Sequence, residues 1–531
     1  MVLLPTLRKP RLKTHRRFHL VRATLVYTSS KENGTLRVGP SQRPNHYDRG
    51  LLQMITNNTP SKQASRRRPL LNAVASRSPL IVIVACVVTA FGGNAREPQE
   101  QHSADRTSRD KSATDGSPTS KTLVATESME HLDRLAREPM VVELSDGTLF
   151  VTGYGGQFEE VEKIPDLWRS RDHGATWEHV NVGRNADGAI GNSDVDLAIG
   201  PDDTLYFVVM SFDNQKFEGT RIAVGSSKNA GATWTWKVLS ETRFDDRPWI
   251  GVTPDGTAHV IWNDGNGVRY WASQDRGASW KERPRINDQG GSSHLAIGPH
   301  GEIAVHVTPA SASYNKFTPG VDLIAVSRDG GNTWRKHPAP GERDWNADPG
   351  KGTPRWVEPV AWDADGALYS LWGSQKGLWL ARSPDQGETW TTWHIVERDE
   401  LSYFPYLTAR GHGELAATWS SGDGDALLAH VAVIHFGDGK ALPQVVESQP
   451  FQTDIWSKEH PGDPMHRDTA GEYIPVVFLH TGGLGVITTI QSDAEMEERV
   501  ARQRAGIATT PPNPNLRQRR LGFKWWKFAE R

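Results

Sequence analysis

Ser170-Arg-Asp-His-Gly-Ala-Thr-Trp177 is the first of five copies of an octapeptide with the pattern Ser-x-Asp-x-Gly-x-Thr-Trp. The later copies share the Ser, Gly and Trp positions and begin at Ser227, Ser273, Ser327 and Ser383. The Asp side chain can accept hydrogen bonds from turn amides, the Gly can take a positive φ, and the Trp can cover apolar neighbours. Each copy is therefore predicted to form a tight connection between two strands.

The spacing of the copies predicts the fold class. They are separated by roughly 45 to 57 residues, which is enough for one four-stranded unit, and such regular repetition is typical of a radial β-propeller. The sequence therefore predicts an all-β fold, with one β-propeller over residues 126–492.

A second repeat predicts the number of blades. An apolar strand, a Gly-containing turn and another strand recur seven times, and these inner hairpins begin near Pro139, Val195, Pro248, Ser293, Pro359, Pro405 and Pro475. Seven blades are favoured, and six blades are the alternative if one hairpin is a loop excursion. The seventh hairpin lacks outer strands, so a segment around residues 121–130 is expected to complete its blade and remove the exposed edges.

The octapeptide resembles the Asp-box, or BNR, repeat of the sialidase (neuraminidase) superfamily, and the resemblance covers about residues 130–491. It implies an exo-acting glycoside hydrolase on non-reducing-end sugars such as sialic acid. The repeat is a structural device, so it indicates a fold and not a reaction. A non-catalytic propeller that binds a glycan or a polypeptide is the alternative, and a different hydrolase or lyase on the same scaffold is a third.

The residues just before the inner strands are the candidate site, because they should all surround one mouth of the central channel. This set is rich in arginine, carboxylate and tyrosine and comprises Arg137, Glu138, Asp194, Arg247, His294, Glu358, Tyr403 and Tyr473. Such a ring suits a polar ligand, although a hydrated channel mouth without a ligand is the alternative.

The resemblance implies roles for four residues. Arg137 stands where the family has the arginine that binds the substrate carboxylate, and Tyr473 stands where it has the nucleophilic tyrosine. Glu358 matches the glutamate that activates this tyrosine, and Asp166 is the candidate for the catalytic acid/base. A tyrosine needs a nearby carboxylate to take its proton, so this combination is chemically consistent.

The sequence also departs from the family. Sialidases grip a carboxylate with three arginines, and only Arg137 is aligned with them here. Lys376 follows Gln375 where the second arginine is expected, and Thr489 stands where a glutamate would orient Arg137. Arg247 and Tyr403 are the further candidates for substrate binding.

The flanking regions differ in composition from the propeller. Residues 1–53 are predicted to be a basic disordered extension or a mis-called start, and residues 54–95 read as an export signal with an apolar run at 80–91. That run is too short for a stable membrane span. Residues 96–125 are predicted to be a disordered polar linker and residues 493–531 a C-terminal tail. The protein is therefore expected outside the cytoplasm, either periplasmic or extracellular.

Composition limits the partners. The formal net charge is -2 and gives no reason to expect nucleic acid, and the single cysteine, Cys86, lies outside the propeller. Metal-ligand spacing and phosphate-binding glycine loops are absent from the sequence, so neither a metal nor a cofactor is predicted. The expected partner is a glycan or glycoconjugate, and the oligomeric state is left open.

Overall fold

The computed structural model describes residues 122–125, 129–155, 163–213, 215–216, 218–308, 322–341, 358–374, 376–398, 402–423, 426–437, 442–455, 472–491, 505 and 519–529. These residues form thirty strands and one 3-10 helix (Asn185–Asp187). The predicted extension 1–53, the export signal 54–95 and residues 96–121 lie outside this range. Within it, no helix has the length and apolar composition needed to cross a bilayer.

The strands are grouped in seven sheets, here called blades 1–7. Two strands, β1 (Thr122–Ala125) and β2 (Glu130–Leu135), precede blade 1. Blade 1 contains β3 (Arg137–Glu143), β4 (Leu149–Tyr154), β5 (Asp166–Ser170) and β6 (Glu178–His179). Blade 2 contains β7 (Ser193–Ile199), β8 (Leu205–Asp213), β9 (Glu218–Ser227) and β10 (Thr235–Ser240). Blade 3 contains β11 (Asp246–Val252), β12 (Ala258–Asn263), β13 (Val268–Ser273) and β14 (Lys281–Asn287). Blade 4 contains β15 (Gly291–Ile297), β16 (Ile303–Thr308), β17 (Leu323–Ser327) and β18 (Arg335–Pro338).

The remaining three blades complete the ring. Blade 5 contains β19 (Val360–Trp362), β20 (Leu368–Ser374), β21 (Gly377–Ser383) and β22 (Thr391–Glu397). Blade 6 contains β23 (Tyr403–Arg410), β24 (Glu414–Asp423), β25 (Ala426–His435), β26 (Gln444–Glu447) and β27 (Phe451–Ile455). Blade 7 contains β28 (Val476–Phe478), β29 (Leu484–Gln491) and β30 (Arg519–Ala529), with β1 as its outer strand.

The blades form a closed seven-bladed β-propeller. Each innermost strand contacts the innermost strand of the next blade, and β28 of blade 7 contacts β3 of blade 1. The favoured prediction of seven blades is confirmed, and the six-blade alternative is wrong. The second strand of a blade is covered on both faces by its neighbours, so residues 205–210 form a continuous apolar run, every side chain of which is buried.

Blade 7 corrects the predicted domain boundaries. The segment 493–531 was expected to be a tail, yet β30 pairs with β29 along its length and places Leu521, Phe523 and Trp526 in the core. Interspersed lysines, arginines and a glycine hide this strand in the sequence. The expected N-terminal closure is confirmed, because β1 pairs with β30. Residues 122–125 therefore belong to the propeller and not to the linker 96–125.

The octapeptides form the same turn between the third and fourth strands of blades 1–5. In the third copy, the Ser273 hydroxyl donates to Asp275 Oδ1 at 2.8 Å and accepts from the Gly277 amide at 2.9 Å. The Ser279 amide donates to the same Asp275 oxygen at 2.8 Å. The second copy uses Asn229 in the same way. These turns lie toward the outside of the ring, away from the innermost strands.

Candidate functional site

The innermost strands begin with an irregularity that directs side chains into one mouth of the channel. The pairing register shifts after Arg137 in β3, after Asp246 in β11 and after Tyr403 in β23. At these shifts, three non-glycine residues that each precede a proline have positive φ: Glu138 (49°), Arg247 (50°) and Phe404 (50°). Such bulges re-aim side chains and are frequent next to functional sites. We call the ionisable residues gathered here, six charged-type residues and two tyrosines, the channel-mouth cluster: Arg137, Glu138, Tyr154, Asp194, Asp246, Arg247, Glu472 and Tyr473.

Arg247 joins two blades that are not neighbours. Its Nη2 lies 2.7 Å from Glu472 Oε2, just before blade 7, and its Nε lies 3.8 Å from Asp246 Oδ2 of its own strand. The Arg247 side chain is 17% exposed and that of Glu472 8%, so the ion pair is largely shielded from water. A pair this shielded interacts more strongly than an exposed one and holds the mouth in one geometry.

Asp194 lies among other carboxylates. Burial, followed by the negative charges of Glu138 and Asp246, raises the pKa of Asp194 well above its usual range, and Arg247 only partly opposes this. Burial likewise raises the pKa of Asp246, although Arg247 favours its charged form. Neighbouring carboxyl groups that cannot all ionise are the usual basis of an acid and base pair.

Arg137, Glu138 and Tyr154 form a second part of the cluster. The Tyr154 hydroxyl donates to Glu138 Oε2 at 2.5 Å, and Arg137 Nη2 donates to the Tyr154 oxygen at 3.2 Å. The Glu138 amide is fixed by Thr489 Oγ1 at 3.2 Å. Thr489 therefore positions Glu138, at the place where the resemblance led us to expect a glutamate that orients Arg137.

Tyr473 is buried beside these charges. Its ring meets the Trp249 ring edge to face, with centroids 5.5 Å apart. Burial raises the pKa of Tyr473 well above its usual value, although the positive charge of Arg247 opposes this. The carboxylates acting on it include Glu472, Asp194 and Glu138. Tyr473 is therefore a protonated hydroxyl at neutral pH, under the electrostatic influence of several carboxylates.

Aromatic side chains fill the channel below the cluster. The rings of Trp249 and His294 lie 5.1 Å apart, and those of His294 and Tyr406 lie 5.3 Å apart. The Tyr406 hydroxyl reaches Met140 Sδ across the ring at 3.9 Å. Burial lowers the pKa of His294 to about 4, so its ring is neutral at pH 7. These aromatic side chains are uncharged at pH 7 and pack against one another next to the cluster.

Only some of the site residues predicted from the sequence lie in the channel-mouth cluster. Arg137, Arg247 and Tyr473 come together in it, whereas Asp166 lies two strands further out in blade 1, in β5. Tyr403 begins β23, and its side chain is outside the described part of the structure. Asp246 and Glu472 were missed, although each directly precedes a residue that was chosen.

Asp166 is surrounded by cationic side chains. Its carboxylate lies 2.7 Å from Lys163 Nζ, 2.8 Å from His179 Nε2 and 3.2 Å from Arg134 Nη1. Burial alone would raise the pKa of Asp166, but the hydrogen bond from His179 and the charge of Lys163 hold it below its usual value. Asp166 is therefore ionised at neutral pH, and the acid/base role that the resemblance implies for it stays a prediction.

Glu358 contacts a buried histidine. Its carboxylate faces His306 at 3.3 Å, and the same imidazole nitrogen lies 3.5 Å from Asp322. All three side chains are buried. The role implied for Glu358, activation of Tyr473, also stays a prediction.

Comparisons with known proteins find only distant similarity, and only among solved structures. A search of family models finds no match. No curated protein matches either. Among solved structures, the Penicillium chrysogenum α-L-arabinanase complexed with arabinobiose is 15% identical, with 62% of this chain and 97% of that chain covered and a TM-score of 0.37. The Ruminococcus gnavus intramolecular trans-sialidase is 12% identical over 74% of this chain and 94% of that one, with a TM-score of 0.38.

A third solved structure, the Trypanosoma rangeli sialidase, is 16% identical over 60% of this chain and 58% of that chain, with a TM-score of 0.35. With similarity this low, these structures assign neither a family nor a substrate to the chain.

Proposed function

We propose that the channel-mouth cluster is the active site of a glycoside hydrolase that acts on a non-reducing-end sugar. The observation that carries the proposal is Asp194, a carboxyl group with a raised pKa beside the Arg247–Glu472 ion pair and Tyr473. Glycosidases need one carboxyl group that keeps its proton and a second group that attacks or stabilises the anomeric carbon.

In the proposed reaction, Asp194 gives its proton to the leaving glycosidic oxygen as the bond to the anomeric carbon breaks. The Tyr473 oxygen forms a bond to that carbon, and its proton passes to a neighbouring carboxylate. Water then attacks the anomeric carbon as its bond to the Tyr473 oxygen breaks. Asp194 takes a proton from the water, and the Tyr473 oxygen takes its proton back from the neighbouring carboxylate. Arg247 stabilises the carboxylates and the tyrosine oxygen as charge develops.

The charge balance favours an uncharged sugar over sialic acid. Among the described residues of the mouth, the arginines Arg137 and Arg247 both contact carboxylates, and there are four acidic residues for the two arginines. Both arginines already contact carboxylates and are therefore poorly suited to bind a sugar carboxylate, whereas sugar hydroxyls can donate to the carboxyl oxygens. We therefore propose neutral pentosides or hexosides as substrates, a departure from the sialic acid implied by the resemblance.

A panel of fluorogenic glycosides, with neutral pentosides and hexosides and with sialosides, tests the proposal on wild type, Asp194→Asn and Tyr473→Phe. Each substitution is expected to lower kcat by about 10²-fold or more, and the double variant should be little worse than either single variant. Turnover should fall as the pH rises through the pKa of Asp194, because the proton donor is then lost. Glu241→Gln, an exposed residue paired with Arg221, is the matched control and should keep full activity.

Turnover that survives both substitutions would contradict the proposed site. A well-folded wild type that hydrolyses no glycoside but binds one would favour the alternative, a non-catalytic glycan-binding propeller. The observation that supports this alternative is the set of arginine and carboxyl groups at the mouth, which can hydrogen-bond sugar hydroxyls without any reacting group.

The proposed setting is outside the cytoplasm, in the periplasm or the medium, where glycans or glycoconjugates are encountered. Support comes from the sequence alone, through the basic and apolar pattern of residues 54–95. Mass spectrometry of the protein from its native host tests this: the mature chain is expected to begin near Arg96, and finding residues 1–53 intact in exported protein would contradict it.

A further inference from the structure

One group of side chains in the described part of the chain brings together an imidazole and two carboxylates, none of which belongs to the channel-mouth cluster. His306 lies in β16, Asp322 directly precedes β17, and Glu358 lies shortly before β19, so the group joins blade 4 to blade 5. One ligand atom from each lies within 4.8 Å of the others. The side chains are 0%, 0% and 2% exposed, so two carboxylates share a site shielded from water.

The distances are too long for ordinary charged hydrogen bonds. His306 Nε2 lies 3.5 Å from Asp322 Oδ2 and 3.3 Å from Glu358 Oε2. A charge-assisted N–H to carboxylate bond is about 2.7–2.9 Å long. The partly buried His179–Asp166 pair of the same molecule has that length, 2.8 Å. Both carboxylates face one nitrogen, which carries at most one hydrogen.

The same distances fit a metal ion between the three atoms. Zn²⁺ binds imidazole nitrogen and carboxylate oxygen at about 2.0–2.2 Å, and tetrahedral angles then separate neighbouring ligand atoms by about 3.3–3.6 Å. We infer that His306, Asp322 and Glu358 bind a divalent transition metal, with Zn²⁺ as the preferred ion. One nitrogen and two oxygen ligands suit Zn²⁺ or Mn²⁺, and the double positive charge balances the two buried carboxylates.

The metal site would act as a clamp between blades 4 and 5. Because its ligands come from both blades, binding energy is added to the stability of the ring. The inference does not depend on the proposed glycosidase activity. It gives Glu358 the role of a ligand, which differs from the tyrosine-activating role implied by the family resemblance.

Metal analysis of the full-length protein tests the inference. Protein produced with added Zn²⁺, and separately with added Mn²⁺, is desalted and its metal content measured by mass spectrometry. We expect about one metal ion per chain. Asp322→Asn and Glu358→Gln keep side-chain size and should each lower metal affinity by about 10- to 100-fold or more. His179→Gln, which breaks the partly buried His179–Asp166 pair, is the matched control and should keep the metal.

A second measurement does not depend on the variants folding. Treating the wild type with a strong chelator should lower its melting temperature, and adding Zn²⁺ back should restore it. The inference is overturned if wild type from both media carries less than about one tenth of a metal ion per chain. It is also overturned if the melting temperature of wild type changes neither with chelator nor with added metal. Folded Asp322→Asn and Glu358→Gln proteins with wild-type metal content would also overturn it.

Discussion

Asp196 lies in the innermost strand of blade 2, where its carboxylate accepts hydrogen bonds from the amides of Ile250 at 2.9 Å and Leu197 at 2.8 Å. Burial raises the pKa of Asp196 to about 7, against the lowering effect of these two bonds. The group is therefore half protonated near neutral pH while holding two blades together.

This raised pKa predicts a pH-dependent stability. In the unfolded chain the pKa is about 3.9, so from about pH 4 to about pH 7 the folded state keeps a proton that the unfolded state has lost. Stability is therefore lost as the pH rises through this window, by at most about 4 kcal/mol. Asp196→Asn keeps an oxygen acceptor and cannot ionise. Urea unfolding should show that the free energy of unfolding of this variant, relative to that of wild type, is higher at pH 8 than at pH 5. The same difference between variant and wild type at both pH values would contradict the prediction.

Residue positions in the site were only partly predictable. Arg137, Arg247 and Tyr473 were found because they precede inner strands. Asp246 was missed because the bulge, with a positive φ at Arg247, changes which neighbouring residues face the channel. Glu472 was missed because it lies one residue before the aligned position of Tyr473. Only the proline after each bulged residue hints at this in the sequence. The charges that act on Asp194 come from blades 1, 3 and 7, so they have no local sequence signal.

Among the elements, the first octapeptide turn packs directly on the strand that closes the ring. Gly174 has φ 93°, and a Cβ placed there would lie 2.1 Å from Phe523 Cε1 of β30. Gly256 has a similar φ of 84° in another turn, with nothing within 4 Å of the added Cβ. An alanine at either position would have a strained backbone, but only an alanine at position 174 would also clash with a neighbouring side chain.

Gly174→Ala is expected to destabilise the protein more than Gly256→Ala. Both variants carry the cost of an alanine at positive φ, about 1–2 kcal/mol. Gly174→Ala must also displace the buried Phe523 ring, which adds about 1–3 kcal/mol for overpacking. Thermal unfolding of the two variants side by side checks this, and equal melting temperatures would show that the turn and β30 are not in contact.

The strand elements differ in how well the sequence predicts them. The five octapeptides and the inner hairpins are regular, so blades 1–5 were predicted from turn residues and apolar strands. β30 was not, because Lys524 and Lys527 interrupt its apolar residues and no octapeptide accompanies it. Its apolar face is recognised only once β29 and β1 lie on either side of it.

At the scale of the whole molecule, blade 7 is assembled from segments far apart in the chain. Removing residues 516–531 deletes β30 and leaves β29 and β1 without their shared partner. We expect this truncation to abolish cooperative unfolding or to cause aggregation, since an open ring exposes strand edges. Removal of residues 1–95 deletes no described strand and is the control. Calorimetry should show a wild-type transition for the control alone, and a cooperative transition in the C-terminal truncation would contradict this closure.

The pairing of β1 with β30 also fixes how the molecule is presented. Thr122 pairs with Ala529, so the start of β1 and the end of β30 lie side by side. Following the antiparallel strands of blade 7 from Tyr473 places both points on the face opposite the channel mouth. A surface or a fusion partner attached at either point would therefore contact the propeller on the face opposite the channel mouth. The mouth would then point outward, open to ligands as large as a polymer.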